Sequence, residues 1–286
     1  MEVKKIAILG AGTMGNGIAQ VAAMAGYAVS MRDIKTEFID KGMKNIEANL
    51  KKGVEKGKVT EDVMRDSLAR IKPTISLSEA VSGADLVIEA IFENIALKKE
   101  TFKELDEITS PHTIFASNTS ALSITEMASA TKRPDKVVGM HFFNPVNLMR
   151  LVELIRGLET SPETFKVVEA VAKKMGKETV EVNESAGFVT SRMNVVIGNE
   201  AFYMLQEGVA SAEDIDKALK LGLNHPMGPF EMTDLVGLDV RLNVLNYLYE
   251  AFGEKYKPCP LLVKYVKAGR LGRKTGKGVY DYTKKG

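Results

Sequence analysis

Short apolar runs alternate with stretches of helical periodicity along the first half of the chain. Residues 6–9 are all apolar and end at a glycine, which is typical of a strand buried on both faces of a parallel sheet. Apolar residues then recur at steps of three and four up to Gly26, which indicates a helix, and a second apolar run at residues 28–31 leads to Asp33. This order of strand, helix and strand predicts a βαβ unit.

The alternation continues through this half and predicts a sheet covered by helices. Three further strands, each after a helix-like stretch, are predicted at residues 86–88, 114–116 and 137–140, and two more follow at 151–155 and 179–182. We therefore predict an α/β fold with a Rossmann-type, doubly wound sheet.

One segment is longer than a single crossover helix requires. Residues 37–70 are rich in Lys and Glu and place their apolar residues at helical spacing, with Gly53 and Gly57 interrupting the pattern. Because glycine weakens a helix interior, we expect a helical excursion of two helices that project from the sheet.

The character of the sequence changes near residue 185, and the pattern after it is helical. Ser211, with Asp214 three residues later, resembles a capping box at a helix start, and residues 235–252 have the apolar spacing of an amphipathic helix. We expect two domains: residues 1–185, which contain the sheet and the excursion, and residues 186–286, which form an all-α domain.

Composition is that of an ordinary globular protein and excludes several classes. The 39 basic and 37 acidic side chains give a formal charge of +2, which offers no electrostatic case for nucleic acid as a partner. No run of residues approaches the ~20 apolar positions of a membrane span. Cys259 is the only cysteine, so no internal disulfide can form, and a reducing, cytoplasmic location is expected.

The turn after the first strand has the spacing of a dinucleotide-binding loop. Gly10, Gly12 and Gly15 fit G-x-G-x-x-G between a predicted strand and a predicted helix, which is the context that makes the motif specific. The first glycine permits the tight turn, the second lets the backbone approach a pyrophosphate, and the third lets helix and strand pack closely. The predicted cofactor contacts in this loop are Gly10, Ala11, Gly12, Thr13, Met14 and Gly15.

Asp33 bears on the choice of cofactor. It stands 18 residues after Gly15, at the end of the second strand, where a carboxylate can accept hydrogen bonds from both adenosine ribose hydroxyls. A 2′-phosphate there would meet a negative charge, although the neighbouring Arg32 and Lys35 leave NADP open. The sequence therefore favours NAD.

Polar residues after two later strands mark where the reacting groups are expected. Residues 117–120, Ser-Asn-Thr-Ser, follow one strand and His141 follows the next, and ligands of open α/β sheets bind outside the carboxyl ends of the strands. As an alternative to ligand binding, one of the serines caps the helix that starts near Ser123. The alternative role for His141, which stands beside two phenylalanines, is that of a hydrogen-bonded core residue.

Glu153 comes 12 residues after His141 inside an apolar strand-like run, where an unpaired charge is unfavourable. If its strand runs back beside His141, the carboxylate can hold one ring nitrogen and leave the other to take a proton from an alcohol. The alternative is an edge-strand glutamate that faces water.

With these motifs in order, the chain resembles the short, single-function 3-hydroxyacyl-CoA dehydrogenases. The resemblance rests on the glycine loop and four later segments and extends over essentially the whole chain. Those segments are Ser117–Ser120, Met140–Pro145, Asn224–Pro229 and Gly272–Tyr282.

The resemblance implies the reversible NAD-dependent oxidation of a (3S)-3-hydroxyacyl-CoA to the 3-oxoacyl-CoA, with a short acyl chain such as that of 3-hydroxybutyryl-CoA. It implies His141 as the catalytic base, Glu153 as its partner, and Ser120 as a contact to substrate and nicotinamide. The other NAD contacts that it implies are Asp33, Glu93, Lys98, Asn118, Asn144 and Lys274.

The resemblance also assigns the helical excursion to the CoA moiety. Lys52 and Lys56 are the best-matched basic positions, and together with Lys51 and Lys58 they form a local basic cluster suited to the phosphates of CoA. The alternative for each lysine is a solvated helix face.

One position departs from the family pattern. The family usually has an asparagine that faces the active site where this chain has Ser191, within Gly187–Arg192. Serine keeps a hydroxyl but loses an amide donor and reach, so either a bound water fills the gap or Asn194 takes part. Ser191 stays a candidate site residue, ranked below His141.

Two other functions stay open at this point. A β-hydroxyacid dehydrogenase acting on a free acid would need a carboxylate-binding arginine and would have no use for the lysine cluster. A non-enzymatic NAD-binding protein is favoured only by the change at Ser191.

The helical domain, which we expect to complete the substrate cleft, has more apolar residues than a domain of this size can bury by itself. This excess predicts a homodimer.

Overall fold

The computed structural model describes residues 1–283, and the chain divides into two compact units, Met1–Ser185 and a second that begins at Ala186. The last three residues of the predicted second domain lie outside the described range. None of the helices within residues 1–283 is long and apolar enough to cross a membrane.

The first unit contains one mixed sheet. Within the described residues its strands are β1 (Lys5–Leu9), β2 (Ala28–Arg32), β3 (Ile71–Thr74), β4 (Leu86–Glu89), β5 (Ile114–Ser117), β6 (Val137–Phe142), β7 (Leu151–Arg156) and β8 (Glu178–Asn183). They lie in the order β3-β2-β1-β4-β5-β6-β7-β8. Neighbouring strands are parallel except for β6 and β7, which are antiparallel. The predicted Rossmann-type sheet is confirmed.

The central strands are nearly continuous apolar runs because both faces of the sheet are buried. Every residue of β4, β5 and β6 is buried, because helices cover both faces of the sheet. The helices of this unit are α1 (Thr13–Met24), α2 (Thr36–Glu55), α3 (Glu61–Arg70), α4 (Leu77–Val81), α5 (Ile95–Ile108), α6 (Ile124–Ala128) and α7 (Pro162–Lys174). Side-chain oxygens cap the N-termini of α3, α4, α5, α6 and α7, which fixes where these helices begin.

The helical excursion is a helix pair that ends in a strand. The turn that separates α2 from α3 contains Gly57, whose φ of +66° is a left-handed conformation. Gly53, the other glycine of the predicted interruption, lies inside α2. The helix α2 buries a stripe that includes Ile39, Ile46 and Leu50. Directly after α3, the edge strand β3 was missed by the sequence analysis, because Lys72 and Pro73 are exposed and do not alternate with apolar residues.

The second unit is helical, as predicted. It contains α8 (Thr190–Glu207), α9 (Ala212–Gly222), α10 (Pro229–Val236), α11 (Leu238–Phe252) and α12 (Pro260–Lys267). Its core includes Phe202 and Phe230, whose rings meet edge to face with centroids 5.2 Å apart. Ser211 caps α9, as expected from its spacing to Asp214.

One helix of the second unit was predicted with the wrong bounds. Residues 235–252 are not a single helix, because Gly237, at φ +111°, separates the end of α10 from the start of α11. Apolar spacing alone did not reveal this break, since the residues on both sides keep helical periodicity.

Candidate active site

The loops that follow β1, β2, β4, β5 and β6 meet at the carboxyl edge of the sheet. The strand order reverses between β1 and β4. At such a switch point the connections after the two neighbouring strands run to opposite faces of the sheet, which opens a crevice between them. Most of the predicted cofactor residues follow these strands, so the topology brings them to the same edge. Glu153, inside β7, and Lys52 and Lys56, on α2 and just after it, do not follow them.

The glycine loop has the geometry that its sequence predicts. Gly10 has φ +103°, and a Cβ there would lie 2.4 Å from the carbonyl oxygen of Ala90. A Cβ on Gly15 would lie 1.8 Å from the carbonyl oxygen of Gly10, so α1 and β1 approach too closely for any side chain. At Gly12 a Cβ would meet nothing within 4 Å, which leaves open space before the N-terminus of α1. These positions fit a bound pyrophosphate.

Asp33 comes directly after β2 and holds the glycine loop. Its Oδ2 accepts a hydrogen bond from the backbone N–H of Ala11 at 2.7 Å, and its Oδ1 accepts one from that of Ile34 at 2.7 Å. Each carboxylate oxygen can accept a further bond, so the ribose contact predicted for Asp33 remains compatible with these two.

A cavity of about 550 Å³ opens beside Asp33 and the glycine loop. Its polar lining includes Asp33 and Asn16, and its apolar lining includes Ile34, Phe38 and Phe92, of which Phe92 is 80% exposed. Apolar side chains around an acidic group suit the adenosine half of a dinucleotide. The residues present therefore fit NAD.

His141 and Glu153 form a buried pair at the same edge. They are direct register partners in the antiparallel β6–β7 ladder, and His141 Nδ1 lies 2.6 Å from Glu153 Oε2. Glu153 is fully buried, so the edge-strand alternative, with the carboxylate in water, does not hold. The ring of Phe143 packs on the imidazole with centroids 4.5 Å apart. This pairing keeps the imidazole in one orientation.

The residues predicted in the Ser117–Ser120 turn lie beside this pair. Asn118 Oδ1 accepts a hydrogen bond from the backbone N–H of Phe142 at 2.9 Å, which ties the turn to the residue after His141. Glu93 Oε1 accepts from the backbone N–H of Ser120 at 3.1 Å. Asn144 is exposed and precedes a cis peptide bond to Pro145.

Lys98 and Glu93, which the resemblance assigned to NAD, belong to an ionic cluster. Lys98 is buried with its Nζ 2.5 Å from Oε1 of Glu89 and 3.2 Å from Oε2 of Glu93. Ser117 and Thr119 complete the cluster by donating to the two glutamates. Ser117 and Thr119 lie in the polar turn that was predicted near the reacting groups, whereas Glu89 was not predicted. Its local signal is a glutamate that ends an otherwise apolar strand.

A second cavity, of about 630 Å³, lies beside the predicted lysines. Its basic lining residues are Lys52, Lys56, Lys58, Arg150, Lys174 and Lys177, and the residues that line it within the described chain include neither Asp nor Glu. The first three were predicted from their spacing on α2 and in the loop after it, whereas the last three come from other elements and were not predicted. Lys51 is exposed and is not among the lining residues.

Lys177 is the most buried of these lysines. Its Nζ donates to the backbone carbonyls of Val146 and Met149, the latter at 2.8 Å, and so holds the loop between β6 and β7. Burial lowers the pKa of Lys177 from its ordinary value of 10.5.

Two predicted residues belong to the second unit. Ser191 lies in the first turn of α8 and is half-buried. The Nζ of Lys274 lies 2.6 Å and 2.7 Å from the two carboxylate oxygens of Asp239, so this lysine is paired within its own unit. The parts that Ser191 and Lys274 take in the active site stay predictions.

The His141–Glu153 pair and the glycine loop therefore lie at the same carboxyl edge of the sheet in the first unit. Residues 5–185 match the model of the 3-hydroxyacyl-CoA dehydrogenase NAD-binding domain, and residues 187–282 match that of the C-terminal domain. The chain belongs to the 3-hydroxyacyl-CoA dehydrogenase family.

Individual relatives agree over their full length. The chain is 54% identical to a probable 3-hydroxybutyryl-CoA dehydrogenase of Bacillus subtilis, covering 100% of this chain and 99% of that protein. It is 49% identical to a 3-hydroxybutyryl-CoA dehydrogenase of Clostridioides difficile, covering 98% and 100%. The crystal structure of (S)-3-hydroxybutyryl-CoA dehydrogenase from Ralstonia eutropha superimposes with a TM-score of 0.96 at 48% identity, covering 99% and 100%. The predictions of an NAD-dependent dehydrogenase and of NAD as cofactor are confirmed.

Proposed function

We propose that this enzyme catalyses the reversible oxidation of (3S)-3-hydroxyacyl-CoA to 3-oxoacyl-CoA, with 3-hydroxybutyryl-CoA and acetoacetyl-CoA as its substrate pair. The observation that carries the chemistry is the His141–Glu153 pair, 2.6 Å apart at the carboxyl edge that also carries the glycine loop. The named activities of the full-length relatives support the short acyl chain.

Bound NAD would supply the hydride acceptor for oxidation, held by the glycine loop and Asp33, with Glu93, Asn118 and Asn144 as further contacts. His141 acts as the base: Glu153 accepts from Nδ1–H, and Nε2 takes the proton of the 3-hydroxyl group. The Glu153 carboxylate stabilises the imidazolium that forms, and the reverse reaction returns the same proton to the 3-oxo oxygen. Ser120 positions the substrate hydroxyl.

The second cavity supports CoA as the activating group of the substrate. Lys52, Lys56, Lys58 and Lys174 place positive charge around one cavity, where Arg150 is paired with Glu178 and Lys177 is held by backbone carbonyls. This charge attracts a polyanion, and a CoA thioester carries its phosphates remote from the reacting carbon. Lys52 and Lys56 would contact these phosphates. A free 3-hydroxy acid has one carboxylate close to its reacting carbon and no remote phosphates, so the cavity favours the thioester over the free acid.

The loss of NADH absorbance with acetoacetyl-CoA, compared with acetoacetate, tests the proposal. We expect oxidation of NADH only with the thioester. In the same assay, His141→Gln should bind NADH normally, yet lose about 10²- to 10⁴-fold in kcat, since general-base catalysis contributes this much. Equal rates with acetoacetate would refute the thioester substrate, and a near-wild-type kcat for His141→Gln would remove it as the base.

We further propose that the second unit forms a homodimer. Several large apolar side chains of this unit are exposed, among them Val189, Met193, Leu221, Leu223, Leu235, Val236, Val240 and Phe252. So many exposed apolar residues on a small helical unit are typical of an interface. A monomeric mass by light scattering at micromolar concentration would contradict the dimer.

We also propose a cytoplasmic location, because the single cysteine, Cys259, is a buried free thiol.

A further inference from the structure

Glu89 is a fully buried carboxylate at the centre of the cofactor edge. It is the last residue of β4, and its register partners are Leu9 in β1 and Ser117 in β5. It therefore lies between the strand that leads into the glycine loop and the strand that leads into the Ser117–Ser120 turn. No step of the proposed reaction uses it.

Three donors converge on the Glu89 carboxylate. Oε1 accepts from Lys98 Nζ at 2.5 Å and from the backbone N–H of Ile91 at 2.7 Å, and Oε2 accepts from the Ser117 hydroxyl at 2.6 Å. These donors belong to α5, to the loop after β4 and to the end of β5. A carboxylate buried in this way keeps its charge only when such donors surround it. Glu89 thus connects three separate segments.

Both arms of this network end in the same turn. On one side, the Ser117 hydroxyl accepts from the backbone N–H of Thr119 at 3.2 Å. On the other side, Lys98 contacts Glu93, whose Oε1 accepts from the Thr119 hydroxyl at 2.6 Å and from the N–H of Ser120 at 3.1 Å. The Lys98 side chain is only 1% exposed, whereas that of Glu93 is 42% exposed. Lys98 therefore acts on the cofactor edge by holding Glu93.

We propose that Glu89 is a positioning residue of the active site. Its carboxylate holds Lys98 and Ser117, and through them it fixes the turn that carries Asn118 and Ser120. That turn is also tied to the backbone next to His141 by the Asn118–Phe142 hydrogen bond. The inference rests on the proposed function, because that function assigns Ser120 and Asn118 to the substrate and the cofactor.

The variant Glu89→Gln tests the role with almost no change of shape. Two of the three donors point at Oε1, so the new amide nitrogen must lie opposite the Ser117 hydroxyl. The hydroxyl then accepts from this amide, and its own proton loses the carboxylate acceptor that it has in wild type. Lys98 also loses one of its two counter-charges. We expect a displaced turn with a correctly folded sheet beneath it.

The experiment compares wild type, Glu89→Gln and the double variant Glu89→Gln/Lys98→Met. It measures kcat and KM with acetoacetyl-CoA, the Kd of NADH by fluorescence, and Tm. For Glu89→Gln we expect weaker NADH binding and a kcat/KM lower by up to about 100-fold, as small displacements of positioning groups produce. The double variant removes the buried ammonium that Glu89→Gln leaves with Glu93 as its remaining counter-charge, so its Tm should recover while kcat stays low.

Glu126→Gln is the matched control, because Glu126 forms an exposed pair with Lys99 of α5 at 3.2 Å, outside the proposed site. Its kcat, Kd and Tm should equal those of wild type. Glu89→Gln values of kcat and Kd within about 2-fold of wild type would overturn the proposal. So would a double variant that recovers kcat together with Tm, since that result assigns Glu89 to stability alone.

A variant that keeps both buried charges covers the case in which Glu89→Gln does not fold. Ser117→Ala removes one of the three donors to Glu89, and we expect a folded enzyme with a modestly lower Tm, a lower kcat and weaker NADH binding. Unchanged kcat and Kd would overturn the proposal. Failure of wild type to oxidise NADH with acetoacetyl-CoA would refute the proposed function instead. In that case the Kd of NADH for wild type, compared with that for Glu89→Gln, would still test the positioning role of Glu89.

Discussion

The pair between Glu153 and His141 allows a quantitative test of how the base is supported. Glu153→Gln keeps the shape of a side chain that is fully buried and directly opposite His141 in the β6–β7 ladder. The amide oxygen can still accept from Nδ1–H, so the orientation of the ring is retained. The negative charge, which stabilises the imidazolium formed when His141 takes the proton, is lost.

The magnitude follows from the contact. A buried hydrogen bond to a charged group, here 2.6 Å long, contributes about 1.5–3 kcal/mol. Because the charge on the imidazole develops only during the reaction, most of this should appear in the activation free energy. At about 1.4 kcal/mol for each factor of ten, kcat should fall about 10- to 150-fold. KM for acetoacetyl-CoA and the Kd of NADH should change little.

Steady-state oxidation of NADH gives kcat and KM, and fluorescence titration gives the Kd of NADH. Glu181→Gln is the control, since Glu181 lies on the neighbouring strand β8 and pairs with Arg156 near the surface at 3.1 Å. A Glu153→Gln enzyme with kcat within about 3-fold of wild type would refute the reasoning, because the carboxylate would then not stabilise the reacting imidazole.

Three further predictions address the cofactor, the CoA cavity and a buried lysine. Asp33→Ala should weaken NADH binding and reduce the preference of the enzyme for NADH over NADPH. An unchanged ratio of the two Kd values in parallel titrations would count against the ribose contact. The double variant Lys52→Ala/Lys56→Ala should raise KM for acetoacetyl-CoA about 5-fold at constant kcat, because two exposed charge contacts together contribute about 1 kcal/mol, and the increase should be smaller at high salt. An unchanged KM would place CoA elsewhere. Lys177 has its pKa lowered by burial, so the unfolded chain binds more protons between the folded pKa and 10.5. Relative to Lys177→Met, the free energy of unfolding of wild type should therefore rise with pH through that window in urea titrations, and a flat or falling difference would contradict the linkage.

Local patterns determined the cofactor site. The strand before Gly10, the glycine spacing and Asp33 lie within 33 residues, and each acts through backbone geometry that a short segment specifies by itself. The same reasoning located α2 and α3 and the cap of α9 at Ser211. It failed at Gly237, where two helices of continuous apolar spacing meet, and at β3, where an edge strand needs no apolar pattern.

Tertiary structure decided the contacts between distant segments. The sequence showed that Glu153 needs a partner, but only the antiparallel direction of β7, and its register against β6, place that carboxylate on His141. Lys174 and Lys177, at the end of α7 and just after it, line the same cavity as Lys52 of α2. Glu89 meets Ser117 because β4 lies beside β5, and Lys98 reaches it from α5. A sequence records which side chains need partners, since burial makes an unpaired charge unfavourable. Which partner each one meets depends on strand order and register, which arise from packing across the whole sheet.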